Sequence, residues 1–330
     1  MISLFRRNIF INSILLLPYL FLIRIKTLVE PTSTVTDELD GTLPAALLNG
    51  LQGEGFSQSI VSIFILFIDA LLINRLVIKS HIGRENNLVS GMIFALLASI
   101  LTQNLGLSAE LMATPWIILS LQAIFNCYNN IKSADDIFLA GFYMSLASLF
   151  YAPLLLLLIF TFTALMIMRS FTGIERTQHL AGWIIPYFLV SSVEYYLDLP
   201  STLRFTSFLQ GFGFFGVLAK GMNISALLVL AGLLIILLWA LINFGNFLGK
   251  KVIAAQKRIS ILYWFLLFVG IIAFSQAHVD YPLILLFNIP ISIFATFSLM
   301  DMKNRIWPEL IHLSLILLLV IIHLDLIKLA

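Results

Sequence analysis

Charged side chains are scarce in this sequence of 330 residues: only 11% are Asp, Glu, Lys or Arg, while 60% are hydrophobic. Soluble domains carry about 25% charged residues. The composition therefore excludes a soluble globular protein, because so few charges cannot cover a soluble surface of this size, and it indicates an integral membrane protein. The net charge of +2 is also too small to indicate nucleic-acid binding.

Cysteine is nearly absent, since Cys127 is the only one in the chain. A single thiol excludes an intrachain disulfide and any zinc site built on paired cysteines. The sequence also lacks internal repeats and any polar stretch long enough to form a soluble domain. Whatever the protein does therefore takes place in the membrane or at its surface.

Long apolar runs dominate the rest of the sequence. A membrane-spanning helix needs about 20 mostly apolar residues. We therefore predict an all-α polytopic membrane protein, one membrane domain over residues 1–330, with about eleven transmembrane helices. The predicted helices lie near residues 8–25, 58–78, 88–104, 111–127, 137–151, 153–168, 180–197, 223–243, 260–276, 282–300 and 308–326.

The fifth and sixth helices come from one apolar run of 32 residues, Ile137–Met168, which is interrupted at Tyr151-Ala152-Pro153. The run could form one long tilted helix or a tight hairpin. Cytoplasmic loops carry an excess of Lys and Arg. With a hairpin and a cytoplasmic N-terminus, 14 of the 19 Lys and Arg lie inside and 5 outside, whereas one long helix gives 9 and 10. We therefore predict the hairpin, which places the C-terminus outside.

Residues 28–56 form the only long polar interval, and they lie on the outer side in this topology. The interval begins with turn-forming Thr, Ser, Pro and Asp, and residues 43–51 predict a short helix on the membrane surface. It contains Asp37, Glu38 and Asp40. These acids suit a general base that activates an acceptor hydroxyl or ligands of a divalent cation; alternatively, they keep an exposed loop in water.

Five Lys and Arg lie outside, against the inside excess, and four of them are candidates for ligand binding; the fifth is Lys328 near the C-terminus. Arg204 and Lys220 lie in the predicted loop 198–222, and Arg24 and Lys26 end the first helix. They predict an anionic ligand such as a lipid phosphate, which Arg can bind with two N–H donors. Simple contact with lipid headgroups would account for them equally well.

Other outer residues could support a site there: Glu194, Asp198, His278 and Asp280. One His and one Asp in the loop SQAHVDY are too few for a zinc-type metal site, which needs three or four ligands. The identity of any metal therefore stays open.

Asp69 is the only acid within the body of a predicted helix. A carboxyl group in hydrocarbon costs a few kcal/mol on insertion scales. We interpret it as a protonated structural group and predict Gln122 or Asn126 on a neighbouring helix as its partner.

The order of these features resembles a known class of enzyme. A first helix, a long outer segment with acids and a surface helix are followed by closely spaced hairpins, including AGFYMSLASLFYAPLLLLLIF at residues 140–160. This layout resembles the membrane module of GT-C-type glycosyltransferases, which use polyprenyl-phosphate-linked sugars. In that class an acid in the first outer loop is the catalytic base, which the resemblance places on Asp37, or else on Glu38 or Asp40.

The resemblance covers roughly the first two-thirds of the chain. It implies a hairpin-rich part at residues 57–222 after the outer loop, followed by C-terminal helices at 223–330. The chain also resembles multi-pass bacterial inner-membrane proteins with no assigned activity. Together these resemblances imply a protein of the bacterial cell envelope, located in the inner membrane.

Three hypotheses about function follow. The first is a lipid-linked sugar transferase in which Asp37 is the base and Arg204 and Lys220 hold the lipid phosphate. The second is a non-catalytic subunit or scaffold that binds partner membrane subunits, since the chain lacks the soluble outer domain of many such enzymes. The third is a lipid or solute transporter or flippase, which the absence of repeats makes the least favoured.

Overall fold

The protein is described by a computed structural model over residues 2–6, 8–31, 55–83, 86–100, 106–130, 133–170, 172–196, 251–276, 283–302, 304 and 306–323. These ranges are almost entirely helical and contain no strand. Four of their helices are long and apolar enough to cross a membrane by length and composition. The chain is therefore an all-α membrane protein, as its composition predicts.

The helices are numbered here in chain order. They are α1 (Ile2–Phe5), α2 (Phe10–Ile23), α3 (Ile25–Val29), α4 (Gly55–Lys79), α5 (Val89–Ile100), α6 (Ala109–Asn126), α7 (Ala134–Phe150), α8 (Leu156–Met168), α9 (Gly173–Tyr196), α10 (Ile253–Ser275), α11 (Ile284–Asp301) and α12 (Ile306–His323). The four candidate spans are α4, α10, α11 and α12. The predicted helix 223–243 and the predicted surface helix 43–51 lie outside the described residues.

Two helices begin well before their predicted positions, by more than the two or three residues seen at other helix starts. α9 starts at Gly173 and α10 at Ile253, each seven residues before the predicted position. Their first turns contain charged residues, such as Glu175 in α9 and Lys257 in α10. The prediction of helices from long apolar runs finds only the part of a helix that lies in the hydrocarbon core of the membrane. It therefore misses the polar turns by which the same helix extends beyond that core.

The run Ile137–Met168 folds back on itself, as the charge distribution predicts. α7 ends at Phe150, and a 3₁₀ turn over Ala152–Leu155 leads into α8. After α8, Arg169 donates a hydrogen bond of 2.8 Å to Asn130 O, just before α7 begins. The end of α8 therefore lies beside the start of α7. Pro153 suits the start of this turn because its ring fixes φ near the helical value and its missing N–H would have no partner in the turn.

A set of cations gathers several helix termini at one end of the bundle, which we call the basic end. The donor–acceptor pairs are Arg258 Nη1 with Ser80 O (2.6 Å), Arg258 Nη2 with Phe125 O (3.0 Å), Lys257 Nζ with Met168 O (3.0 Å) and Lys251 Nζ with Ile82 O. The acceptors lie at or just after the C-termini of α4, α6 and α8. Carbonyls there lack partners within their helix, and the helix dipole favours positive charge.

The other helices that meet the basic end begin there. Leu88 N, just before α5, donates to Phe5 O at 2.8 Å. Glu175, in the first turn of α9, forms an ion pair of 2.7 Å with Arg169. Accordingly, α4 and α6 start at the opposite end of the bundle, which we call the far end, and α5 and α9 finish there.

Close packing joins α7 to α9 through small residues. A Cβ at Gly182 would lie 2.4 Å from a backbone oxygen of α7, and one at Gly141 would lie 2.7 Å from a backbone oxygen of α9. The hydrogen bonds across this contact join Ser145 Oγ to Trp183 O and Ser148 Oγ to Tyr187 Oη, each at 2.7 Å. Small residues allow helix backbones in membranes to approach this closely.

A fully buried histidine ties the hairpin to α9. His179 Nδ1 lies 3.0 Å from Ile137 O, and its Nε2 lies 2.9 Å from both Thr161 Oγ1 and Trp183 Nε1. The carbonyl can only accept and the indole N–H can only donate. The imidazole is therefore the tautomer with hydrogen on Nδ1, and its role here is to hold α7, α8 and α9 together.

Candidate functional site

Arg24 occupies the junction between α2 and α3 at the far end. Its backbone φ of −107° and ψ of 23° interrupt the helix, so the chain changes direction at this residue. The side chain turns into the bundle and is 0% exposed. A fully buried guanidinium needs acceptors within the protein, because removing a charge from water is costly unless it is hydrogen-bonded.

The acceptors of Arg24 come from two other helices. Its Nε donates to Ser99 Oγ at 3.1 Å, its Nη1 to Ser62 Oγ at 3.2 Å and its Nη2 to Ala98 O at 3.2 Å. Both serine hydroxyls give their own hydrogen to a carbonyl of their helix, Ser99 to Ala95 O and Ser62 to Ser59 O. Their oxygens therefore face Arg24 as acceptors, and the cation joins the end of α2 to α4 and α5.

Lys26 and His323 extend this cluster to the last helix. Lys26 Nζ donates to His323 O, the final carbonyl of α12, at 2.8 Å. His323 Nε2 lies 2.9 Å from Ser99 O, so Nε2 carries the hydrogen. Cations placed on the C-terminal carbonyls of helices complement the helix dipole. Arg24, Lys26, Ser62, Ser99 and His323 together are called the Arg24 cluster below.

Close in sequence to the Arg24 cluster, two residues on either side of the polar interval come into contact; this contact between Pro31 and Gly55 is called the closure below. A Cβ built on Gly55 would lie 3.1 Å from Pro31 Cβ and 3.3 Å from Pro31 O. Pro31 follows α3 by two residues, and Gly55 is the first residue of α4. The two residues that border the interval 32–54 therefore lie in contact. This interval contains the predicted catalytic acids.

Two buried acids also belong to the far end. Glu110 is 5% exposed in the first turn of α6, where a negative charge is favourable, and Ser108 caps that turn by accepting from Leu111 N at 3.2 Å. Glu194 is 6% exposed near the end of α9, although its neighbour Tyr195 is 87% exposed. The sequence placed both acids on the outer side but gave no sign of their burial.

Most predicted site residues fall outside the described part of the chain. These are the acids Asp37, Glu38 and Asp40, the cations Arg204 and Lys220, and the supporting residues Asp198, His278 and Asp280. Of the predicted set, the structure describes Arg24, Lys26 and Glu194. Within the described ranges, no group of three or more His, Cys, Asp or Glu is arranged to hold a metal ion.

The predicted partner of Asp69 is wrong. Asp69 contacts the hydroxyl of Thr114 on α6. Asn126 instead donates to Asp136 Oδ1 at 3.1 Å, and Gln122 Oε1 has no hydrogen-bond partner among the described residues. The register between α4 and α6 places Asp69 beside the second turn of α6 rather than its end. Spacing along the sequence does not reveal that register.

Comparison with known proteins identifies a family but no activity. No curated protein and no solved structure matches the chain. A family model described as a family of unknown function, DUF6427, matches residues 47–330. The matched region contains α4 to α12, whereas α1 to α3, with Arg24 and Lys26, precede it. Since the match covers most of the chain, the protein belongs to the DUF6427 family.

Proposed function

We propose that this protein is a glycosyltransferase-like enzyme of the bacterial inner membrane that acts on a polyprenyl-phosphate-linked sugar at the outer face. The observation that carries the proposal is the closure at Pro31 and Gly55. It attaches the acid-containing interval to the bundle at both ends, one short helix away from Arg24. An outer loop with acids that is anchored beside the buried cation Arg24 is the layout expected for catalysis on an anionic lipid.

The proposed topology has about eleven transmembrane helices, a cytoplasmic N-terminus and an outer C-terminus. The basic end supports this orientation, because it gathers Arg169, Lys251, Lys257 and Arg258. Cytoplasmic segments carry such an excess of Lys and Arg. The far end, with the Arg24 cluster, is then the outer end.

In this proposal Asp37 is the general base, with Glu38 or Asp40 assisting, and Arg204 and Lys220 bind the lipid phosphate. Asp37 follows Pro31 by six residues, so it lies at most about 22 Å from that anchor. Arg24 and Lys26 already donate to protein acceptors. Their contribution is a fixed positive charge near the anchor, which favours an anionic headgroup at this end of the bundle.

A binding experiment tests the ligand class. Purified protein in mild detergent is mixed with polyprenyl phosphate or with the neutral polyprenol, and bound lipid is measured by native mass spectrometry. We expect binding of the phosphate only, with at least a tenfold loss in the double variant Arg204→Ala with Lys220→Ala. Lys328→Ala is the matched control, since Lys328 is also predicted to lie outside. Equal binding of polyprenol would contradict the proposal.

A second experiment tests the chemistry. Release of sugar from a polyprenyl-phosphate-linked donor is measured for the double variant Asp37→Asn with Asp40→Asn and for the control Glu30→Gln. We expect loss of release in the double variant only. Full activity of the double variant would rule out these acids as the base. Lipid binding without release in the unmodified protein would favour the non-catalytic subunit, whose further sign is co-purification with partner chains.

A further inference from the structure

Asp69 is a lone carboxyl group inside the helix bundle. It is 0% exposed, and its Oδ2 contacts Thr114 Oγ1 between α4 and α6. Its second oxygen, Oδ1, is buried and has no hydrogen-bond partner among the described residues. An ionised carboxylate accepts several hydrogen bonds where it can. This site supplies a single hydroxyl, which is a poor environment for a negative charge.

The hydrogen atoms of the site can be counted. Thr114 Oγ1 lies 2.8 Å from Leu111 O as well as beside Asp69 Oδ2. A hydroxyl has one hydrogen and two lone pairs. If the carboxyl is ionised, that one hydrogen faces two acceptors and only one of them receives it. If the carboxyl carries a hydrogen on Oδ2, it donates to Thr114 Oγ1, and Thr114 donates to Leu111 O. Only the protonated carboxyl satisfies both contacts.

Among the described residues on the helices packed around Asp69, none places a positive charge beside it. The helices packed against α4 are α2, α3, α5 and α6. Their ionisable groups, with those on α4 and at the α2–α3 junction, are Tyr19, Arg24, Lys26, Arg75, Lys79 and Glu110. Tyr19 bonds to His312 at 3.0 Å, and Lys26 bonds to His323 O. Arg24 reaches α4 at Ser62, seven residues and about 10 Å of helix from Asp69.

We propose that Asp69 and Thr114 form a proton-binding site within the membrane part of the protein. The carboxyl holds the proton on Oδ2 at neutral pH and donates it to Thr114, and Oδ1 stays a carbonyl oxygen. Ionisable residues within membrane helices are rare and are by default candidates for functional sites. This site is independent of the proposed sugar chemistry, since it rests on no residue of the outer acid segment.

Infrared spectroscopy of the protein in lipid vesicles tests this directly, because a protonated carboxylic acid and a carboxylate have separate carbonyl bands. We expect the acid band at neutral pH in the unmodified protein and its loss in Asp69→Asn. Asp135→Asn is the matched control, since Asp135 is exposed on α7 and should leave the band unchanged. If Asp69→Asn removes carboxylate signal and no acid signal, the proposal is wrong.

A pair of Thr114 variants tests the hydrogen bond and does not depend on folding of Asp69→Asn. Thr114→Val removes the acceptor of the acid's hydrogen, so the acid band should move to the higher frequency of a carboxyl group that donates no hydrogen bond. Thr114→Ser keeps a hydroxyl at the same place and should leave the band near its original position. An unmoved band in Thr114→Val would show that the carboxyl does not donate to Thr114.

Discussion

Pro31 and Gly55 touch across the polar interval that separates them in sequence: a Cβ on Gly55 would lie 3.1 Å from Pro31 Cβ. This separation is about 0.4 Å below the range of about 3.5–4.5 Å between Cβ atoms in a disulfide, so a small movement of the backbone brings the two positions into range. We therefore expect the double variant Pro31→Cys with Gly55→Cys to form a disulfide on mild oxidation.

The disulfide is measured by a mass-tagging maleimide on the unfolded protein, after background labelling of Cys127 has been removed by Cys127→Ser. Pro31→Cys alone in the same background is the control and should remain fully labelled. Two free thiols in the oxidised double variant would mean that the acid segment is not closed at this point, and the catalytic proposal would lose its main support.

Removal of the Arg24 side chain should destabilise the protein strongly. Three hydrogen bonds from a buried guanidinium would be lost, and each bond to a charged group contributes about 1.5–3 kcal/mol. Three such bonds together give about 4.5–9 kcal/mol, so we expect Arg24→Ala to lower the free energy of unfolding by about 5 kcal/mol or more. Arg24→Lys should recover little, since one ammonium cannot reproduce the planar fork of donors.

Lys26→Ala provides the comparison, because its ammonium is only partly buried and donates to His323 O at the same end of the bundle. Its loss should cost about 1.5 kcal/mol. The measurement is thermal or denaturant unfolding in detergent, followed by helical circular dichroism. Equal and small losses for Arg24→Ala and Lys26→Ala would contradict the buried position of the guanidinium.

A glycine controls how closely α4 and α5 pack. A Cβ on Gly91 would lie 2.2 Å from Ala70 O and 2.5 Å from Asn74 Nδ2, so the two helices would have to separate. Asn74 Oδ1 also accepts from Gly91 N at 2.7 Å, and this hydrogen bond would be strained. We expect Gly91→Ala to destabilise the protein by about 2–3 kcal/mol.

Gly270 is the matched control for this substitution. It lies inside α10, and a Cβ there would meet no atom within 4 Å. Gly270→Ala should stabilise the protein by up to about 1 kcal/mol, because alanine favours helix over glycine. Both variants are compared in the same unfolding assay. A Gly91→Ala protein as stable as Gly270→Ala would show that α4 and α5 are further apart than described.

The sequence predicted the placement of helices better than their contacts. Apolar length found each predicted helix that falls in the described ranges, and the distribution of Lys and Arg favoured the hairpin that Arg169 closes on Asn130. Apolar length and charge can each be read from one segment of the sequence at a time. The contact between Asp69 and Thr114 depends on how α4 and α6 are rotated and shifted along each other. The apolar pattern of either helix alone does not determine that arrangement.

Arg24 shows the same limit at the candidate site. From sequence it is a cation at the end of an apolar run, which is typical of a side chain that reaches for headgroups. In the structure the helix breaks at Arg24 and directs the guanidinium inward, towards Ser62 and Ser99. The two serines that accept hydrogen bonds from Arg24 could not be recognised as its partners from the sequence, since Ser is common in membrane helices. The two helices on either side of the break, α2 and α3, both pack on α4.

Cys127 should resist thiol reagents in the folded protein. It lies in the turn after α6 at the basic end, is fully buried, and donates to Ala123 O at 3.3 Å. Burial, with a smaller contribution from the nearby carboxylate of Asp136, raises the pKa of the thiol to about 12. Only the thiolate reacts readily with maleimides. Since the pKa lies far above the assay pH, the reactive fraction is very small even where the reagent reaches the sulfur.

We therefore expect labelling of folded protein at mildly alkaline pH to be slower by at least a hundredfold than labelling of the same protein unfolded in detergent and urea. The readout is the rate of mass increase with a small, membrane-permeant maleimide. Asp301→Cys in a Cys127→Ser background is the control, because residue 301 is exposed at the end of α11 and should react quickly. Rapid labelling of folded Cys127 would mean that the turn between α6 and α7 opens to solvent. It would also mean that the neighbouring contact of Arg258 with Phe125 O does not hold the basic end closed.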